Sequence, residues 1–505
     1  MRKIFFVFLV VLQSEITFAL TKNDVLSVQN GIYYLDGAPF AEIGWNKFDI
    51  CWLFWDEVNA GRSLSATNDM VVKQRSSIQE LAQAGVKTIR LFGCVHSSKF
   101  NSWLTAYNNP LKHENCWLPL DKTLDICEEF NIRAIVSLLC ENFVDRTTSE
   151  NLRELVADST SASRKMLYKY IDETVERYKN RKGVLAWEIS NEMTNKCDIQ
   201  PGTRVNADGE RLPTIAQLAL FYKQVGRRIK STDTLRMVTS GGSYFREMAY
   251  GLSIIPQSDT PVSWPANRDT YTQYKNIHKL VYDNSEFENV DIHFYMRKAP
   301  NYQIRANDGS DFMMNEVRFN TLVTSIGKPL MLGEYGALPK VRTDTDYWLT
   351  GHDWFDTFTG ESDSAQMYVQ DACDRAVNSG CRLIYWWCYD SHRPQDQVDP
   401  QRMDLDVART PILFRKVIDA SQRLKQKYNI TTVDAIKPVS TQQMWFSDGK
   451  LNFSDELKGR ICKVYNLQGV LVEQLIAGNI NPARINHNGI LIVRMEDKIL
   501  KVINN

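Results

Sequence analysis

The sequence predicts an α/β chain built as a (β/α)8, or TIM, barrel with a small all-β sandwich domain behind it. Three observations carry that prediction. Between residues 40 and about 428, short β-branched or aromatic runs alternate eight times with amphipathic stretches. Turn signals at Gly85, Gly183, Gly327-Lys328-Pro329 and Gly380 fall where a helix hands over to a strand. After about residue 430 the texture changes to short alternating runs broken by Asp-Gly, Gln-Gly and Asn-Gly. Strand–helix alternation of this kind closes into a parallel barrel, whose chemistry sits at the C-terminal strand ends. The rival, an open doubly wound sheet, usually carries a Gly-rich first turn, and "EIGWNKFDICWLFW" holds none.

Taken in order, the chain starts with a signal-peptide pattern. Arg2 and Lys3 precede "IFFVFLVVL" (4–12), which is too short to span a bilayer, and Thr17 and Ala19 supply small residues for cleavage after Ala19. Removal of residues 1–19 and export to the periplasm, cell surface or medium is expected. No later apolar run is long enough for a transmembrane helix, so no integral membrane segment is expected in the mature chain. "VQNGIYYLDGAPF" (28–40) reads as a β-hairpin turning at Asp36-Gly37, placed to close the bottom of a barrel.

The predicted strands are "AEIGW" (41–45), "VKTIRLF" (86–92), "IRAIVSLL" (132–139), "GVLAWEI" (183–189), "LRMVTS" (235–240), "VDIHFY" (290–295), "PLMLGEY" (329–335) and "RLIYWWC" (382–388). Helical patterns lie near 70–84, 118–130, 162–179, 214–231, 270–283, 314–326, 363–379 and 410–427. These elements place the barrel domain at 24–428 and the β-sandwich at 436–505.

Composition excludes some partners. The 60 basic and 60 acidic residues cancel, so no global field recruits nucleic acid or an anionic membrane. The ten Cys lack CxxC spacing and their pairing is not deducible. Only seven His occur, none paired at ligand spacing on strand ends, so neither metal nor cofactor is expected. The 12 Trp, 21 Tyr and 22 Phe hint at a stacking surface, although most aromatics fill cores.

The polar residues at the strand ends are Arg90, Asn191, Glu192, His293, Tyr295 and Glu334, with Trp386 and Trp387 late on the eighth strand. Singly, each has an ordinary reading: an arginine in a salt bridge, a satisfied core histidine, a packed tyrosine. The two glutamates resist it. "ISNEM" and "LMLGEYG" each put a carboxylate directly after a buried apolar strand, where an uncompensated charge is costly. Carboxylates on strands four and seven face one another across a barrel mouth, the arrangement that hydrolyses a glycosidic bond.

With those residues in place, the barrel resembles clan A of the glycoside hydrolases, and most closely family 5, the cellulase and β-mannanase family. The resemblance covers residues 28 to 428 and rests on "TIRLF", "WEISNEM", "DIHFY", "LMLGEYG" and "YWW" in the family's order. "NGIYYLDGAPFAEIGWN" is similar to the opening segment of the β-mannanases. The resemblance implies Glu192 as acid/base, Asn191 on the sugar 2-hydroxyl and Glu334 as nucleophile. It also implies Arg90 and Tyr295 bonded to Glu334, and His293 against substrate or Glu192. Trp386 would floor the sugar site, with Trp387 the alternative because strand parity is open by one residue. The chain departs from the family at "SLLCENF" (137–143), where many members carry a histidine. It also has "NEM" for the frequent "NEP" and lacks the Gly pair some mannanases carry after strand three. These departures bear on the sugar rather than on the catalytic pair.

"KVYNLQGVLVEQL" and "NGILIVRMEDKILKVI" resemble a type A sorting domain of the type IX secretion system; a generic or carbohydrate-binding β-sandwich is the other reading. The expected function is a secreted retaining hydrolase of a β-mannan or β-glucan polysaccharide or oligosaccharide. The alternatives are an exo-acting β-glycosidase of the same clan and a carbohydrate-binding barrel without catalysis.

Overall fold

The computed structural model describes residues 20–94, 99–139, 143–145, 147–197, 212–255, 265–296, 303–337, 361, 363–389 and 405–430, and strand segments between 444 and 504. The expected signal peptide, residues 1–19, lies outside them.

The barrel strands are β1 (Glu42–Asn46), β2 (Thr88–Phe92), β3 (Arg133–Leu139), β4 (Val184–Ser190), β5 (Val238–Thr239), β6 (Val290–Met296), β7 (Leu330–Ala337) and β8 (Leu383–Trp386). They form one sheet in the order β5-β4-β3-β2-β1-β8-β7-β6, and every pairing is parallel. The sheet closes just past β5. There Ser243 bridges His293, and the His293 amide donates to the Gly242 carbonyl at 2.9 Å. The (β/α)8 barrel is therefore the fold of this chain.

Strand β5 is shorter than "LRMVTS". The amides of Leu235 and Arg236 are taken by Asp233 Oδ1 in a turn, at 3.1 and 3.2 Å, and Gly241 leaves the β region at φ 66°.

The helices are α1 (Asp69–Gln83), α2 (Leu118–Glu129), α3 (Ala162–Tyr178), α4 (Ile215–Thr232), α5 (Tyr271–Tyr282), α6 (Glu316–Thr324), α7 (Asp363–Asn378) and α8 (Pro411–Lys427). Capping boxes start two of them, Thr214 with Gln217 on α4 and Thr270 with Gln273 on α5. Gly85, Gly327 and Gly380 take φ of 80°, 84° and 85°, the left-handed turn that ends a helix. Helices Ile50–Asn59, Phe100–Tyr107, Leu152–Ala157 and Ala249–Ser253 follow β1, β2, β3 and β5, outside the predicted set.

The hairpin ahead of the barrel pairs Ser27–Gln29 with Ile32–Leu35 and that strand with Ala38–Pro39. Asp36 and Gly37 both have positive φ, 55° and 74°, the turn that matches strand twist. Its Tyr33 and Leu35, with Leu26 and Phe40, pack on Ile135, Ala186, Met331, Leu383 and Tyr385 from the barrel floor. Each such side chain taken from water stabilises the fold by about 1.5–3 kcal/mol. That plug leaves the opposite, C-terminal end of the barrel as the open one.

The chain divides into two compact units near Thr431. In the second, Met444–Ser447, Lys450–Phe453 and Ala483–Arg484 form one antiparallel sheet. Ile461–Asn466, Leu471–Ile476, Gly489–Met495 and Lys498–Asn504 form another. Among the described residues, no helix is long and apolar enough to cross a membrane.

Candidate active site

Arg90 is the hub of the barrel mouth. It rises from β2, fully buried, and reaches four partners. Nε and Nη2 bind the two oxygens of Glu188 on β4, each at 2.7 Å. Nη1 donates to Asn46 Oδ1 at 2.9 Å and to Glu334 Oε1 at 2.8 Å. Nη2 also donates to Asn191 Oδ1 at 2.8 Å. Burial opposes the guanidinium charge, but Glu188 and Glu334 outweigh it and hold the group protonated.

Beyond β4 the backbone turns sharply. Glu192 sits at φ 50°, ψ 29°, a left-handed conformation uncommon outside glycine. Three backbone bonds secure it: Asn191 N–H to Leu139 O at 3.1 Å, Glu192 N–H to Gly241 O at 2.7 Å, and Asn195 N–H to Glu192 O at 2.9 Å. Gly241 must be glycine there, because a Cβ would lie 1.8 Å from the Ser190 carbonyl. The turn directs Glu192 toward β6, where its Oε1 lies 3.1 Å from His293 Nδ1. Asn195 Nδ2 donates to the other oxygen at 3.2 Å.

Glu334 owes its direction to a bulge. Against β6, Met331 pairs with Asp291 but Glu334 pairs with His293, and against β8, Leu332 pairs with Ile384 but Tyr335 with Trp386. One extra residue on β7 thus separates these pairs and reverses side-chain parity. Met331 and Glu334 both face the barrel interior, and Tyr335 faces outward, where Glu316 of α6 and the Ala372 carbonyl of α7 accept its hydroxyl at 2.9 Å.

Tyr295 donates to Glu334 Oε2 at 2.5 Å, and His293 Nδ1 lies 3.4 Å from Oε1. Burial pushes the Glu334 carboxyl above its ordinary 4.5; His293, Arg90 and Tyr295 pull it down and Glu192 pushes it up again. Burial lowers His293 to about 4, so the ring is neutral above that, and burial with Glu334 holds the Tyr295 phenol well above 10. Single oxygens of Glu192 and Glu334 and a His293 ring nitrogen lie within 4.8 Å of one another.

The structure brings Arg90, Asn191, Glu192, His293, Tyr295 and Glu334 together, as the sequence predicts. It does not bring Trp386. That ring is fully buried on the outer face, in register with Trp45 and edge-on to Tyr335 at 6.1 Å. Parity turns Trp387 the other way. Its ring stacks on Phe48 at 4.7 Å and 15°, in a cluster with Trp52, Phe92 and Cys388. Arg90 lies 5.3 Å over the Phe92 ring, which joins this cluster to the carboxylates.

Sequence reasoning passed over Asn46, Glu188 and Asp291. The signal was present: Asp291, His293 and Tyr295 follow one another at the two-residue period of a strand face. Asp291 is fully buried, and burial with the Glu188 charge pushes its carboxyl well above 3.8. Glu188, Asp291 and His293 also offer ligand atoms within 4.8 Å of one another, as a metal would need. Arg90 occupies both Glu188 oxygens and already supplies positive charge there. The nine cysteines among the described residues are all buried.

No family model matches this chain, and no curated protein matches it. Solved structures do. An endo-1,4-beta-mannanase from Rhizomucor miehei superposes with a TM-score of 0.52 at 12% identity, over 80% of this chain and 99% of that one. A glycoside hydrolase family 5 mannosidase from the same organism gives 0.51 at 14% identity, over 80% and 99%. This chain has their fold.

Proposed function

We propose that this protein is a glycoside hydrolase that cleaves a β-linked polysaccharide of β-mannan or β-glucan type by double displacement, with retention of configuration. One observation carries the reading: one oxygen of Glu192, just past β4, and one of Glu334 on β7 lie within 4.8 Å of each other across the open end of the barrel, in unlike surroundings. Carboxyls about 5–5.5 Å apart suit attack by one of them, whereas about 6.5–9.5 Å leaves room for water and inversion.

In this mechanism Glu334, ionised and held by Arg90 and Tyr295, attacks the anomeric carbon and forms the glycosyl–enzyme bond. Glu192, protonated, gives its proton to the departing oxygen. Water then enters, its oxygen bonds to the anomeric carbon as Glu192 takes its proton, and the Glu334–sugar bond breaks to return the carboxylate. In the neutral tautomer that carries hydrogen on Nδ1, His293 donates to Glu192 and orients it. Arg90 fixes the Asn191 amide through its oxygen, which leaves Nδ2 for the sugar 2-hydroxyl. Trp387, rather than Trp386, is the platform beneath the sugar. No step requires a metal.

Of the two substrate classes, the β-mannan one is supported by the β-mannanase-like opening segment. The second unit would serve sorting or carbohydrate binding, and the exported form would begin at Leu20. A panel of mannans, glucans and chromogenic β-glycosides tests the function with the purified protein. Hydrolysis of one class, lost in Glu334→Ala, is expected; binding without turnover on every substrate would leave only the carbohydrate-binding reading.

A further inference from the structure

The bulge in β7 withdraws a backbone amide from the ladder, and a buried polar amide needs a partner. Gly333 carries that amide. It donates to Asp291 Oδ1 at 3.0 Å, while the Gly333 carbonyl accepts from Asn46 Nδ2 at 3.0 Å. Both sides of the residue before Glu334 are therefore held by side chains, one from the adjacent β6 and one from β1, two strands away. The fit is close. A Cβ on Gly333 would stand 2.4 Å from Asp291 Oδ1, and its three nearest atoms all belong to the Asp291 carboxyl. Asn46 is in turn bound by Arg90 Nη1, the same nitrogen that holds Glu334.

We infer that Asp291 and Gly333 form a positioning pair that fixes the bulge and thereby aims Glu334 at the barrel mouth. Asp291 touches neither substrate nor the reacting atoms; it acts through the Gly333 peptide. The inference rests on the reading of Glu334 as nucleophile, but its geometric half stands apart from it. Around the carboxyl lie Glu188 on β4, Thr239 on β5 with Oγ1 at 3.4 Å from Oδ2, Arg90 on β2 and Glu334 on β7. Burial and the Glu188 charge push the carboxyl well above its ordinary range, and asparagine reproduces its shape and the oxygen that accepts from Gly333.

Four variants test the pair: Asp291→Asn, Asp291→Ala, Gly333→Ala, and Asp291→Ala with Gly333→Ala. Activity is read with the 4-nitrophenyl β-glycoside that the wild type hydrolyses best, alongside unfolding temperature and crystal structures. Asp291→Asn should keep kcat near wild type. Asp291→Ala should lose about 10²-fold in kcat with KM unchanged, the scale of an ångström-sized misplacement. Gly333→Ala alone should clash. In the double variant the added methyl enters the space the carboxyl left, so unfolding temperature should recover while kcat stays low, because the amide still lacks its acceptor. Wild-type kcat in Asp291→Ala, or kcat recovering with stability in the double variant, would overturn the inference. If Asp291→Ala alone does not fold, the double variant decides. If the wild type hydrolyses no glycoside, the proposed function fails and crystal structures decide the pair. Loss of the 2.8 Å Arg90–Glu334 contact in Asp291→Ala, with its retention in Asp291→Asn, supports it; retention in both overturns it.

Discussion

The ends of β4 and β7 offer the same side chain to the same space and treat it differently. Glu192 stands past its strand on a left-handed turn, with 29% of its side chain exposed, bonded to an amide nitrogen and a neutral imidazole. Glu334 lies inside its strand with 5% exposed, between a guanidinium and a phenol. A fixed cation and two donors favour the anion of a carboxyl; contacts to an amide and an imidazole bring no such fixed charge. The proposed division into nucleophile and acid rests on surroundings rather than residue type. Burial works against the anion at Glu334, so an ionised carboxylate there, as the proposed mechanism needs, depends on all its partners together.

The comparison breaks most completely at Glu334. Glu334→Ala should lower kcat on the order of 10⁶-fold, the scale for removing a nucleophile that works in a unit. Azide should restore turnover with product of inverted configuration, measured by following released aglycone and the anomer formed. Glu192→Ala should cost less, about 10²–10⁴-fold on the polysaccharide. A dinitrophenyl glycoside needs no protonation and should pass the first step nearly unimpaired, with azide rescuing the second step with retention. Equal losses in both variants on both substrates would mean that the two ends do not differ as described.

Much of this was legible in the sequence. The strand–helix rhythm placed the eight helices it predicted within two or three residues of their observed bounds, though not Ile50–Asn59, Phe100–Tyr107, Leu152–Ala157 and Ala249–Ser253, and "ISNEM" and "LMLGEYG" located both carboxylates. What was not legible depended on parity and long-range contact. The β7 bulge changes which residues face inward, and nothing in "PLMLGEY" announces an extra residue. Trp386 and Trp387 are adjacent, so a one-residue ambiguity exchanged the buried ring for the mouth ring. Glu188 and Asp291 lay in motifs already singled out, but their role rests on Arg90 and Gly333, 98 and 42 residues away.

Smaller effects sharpen the contrast. Trp387→Ala should raise KM about tenfold or more through lost ring contact, whereas Trp386→Phe, on the outer face, should leave KM unchanged. Steady-state kinetics on one oligosaccharide separates them. The smallest change is in pH dependence. The nucleophile must be ionised, so activity is lost as pH falls through the Glu334 pKa, and the acid limb of kcat/KM should lie above 4.5. Tyr295→Phe removes a hydrogen bond that favours the anion and should move that limb further up. A downward move would contradict the assigned role of Tyr295.

The central claim is that Glu334 attacks sugar carbon directly while Glu192 serves as acid and then base. Proton NMR of the anomeric signals in the first minutes of wild-type hydrolysis tests it most directly. With Glu334 as nucleophile, the first product should keep the β configuration of the substrate and only later mutarotate. A first product of α configuration would mean that water attacks in one step, and the two-carboxylate displacement drawn from the barrel mouth would be wrong.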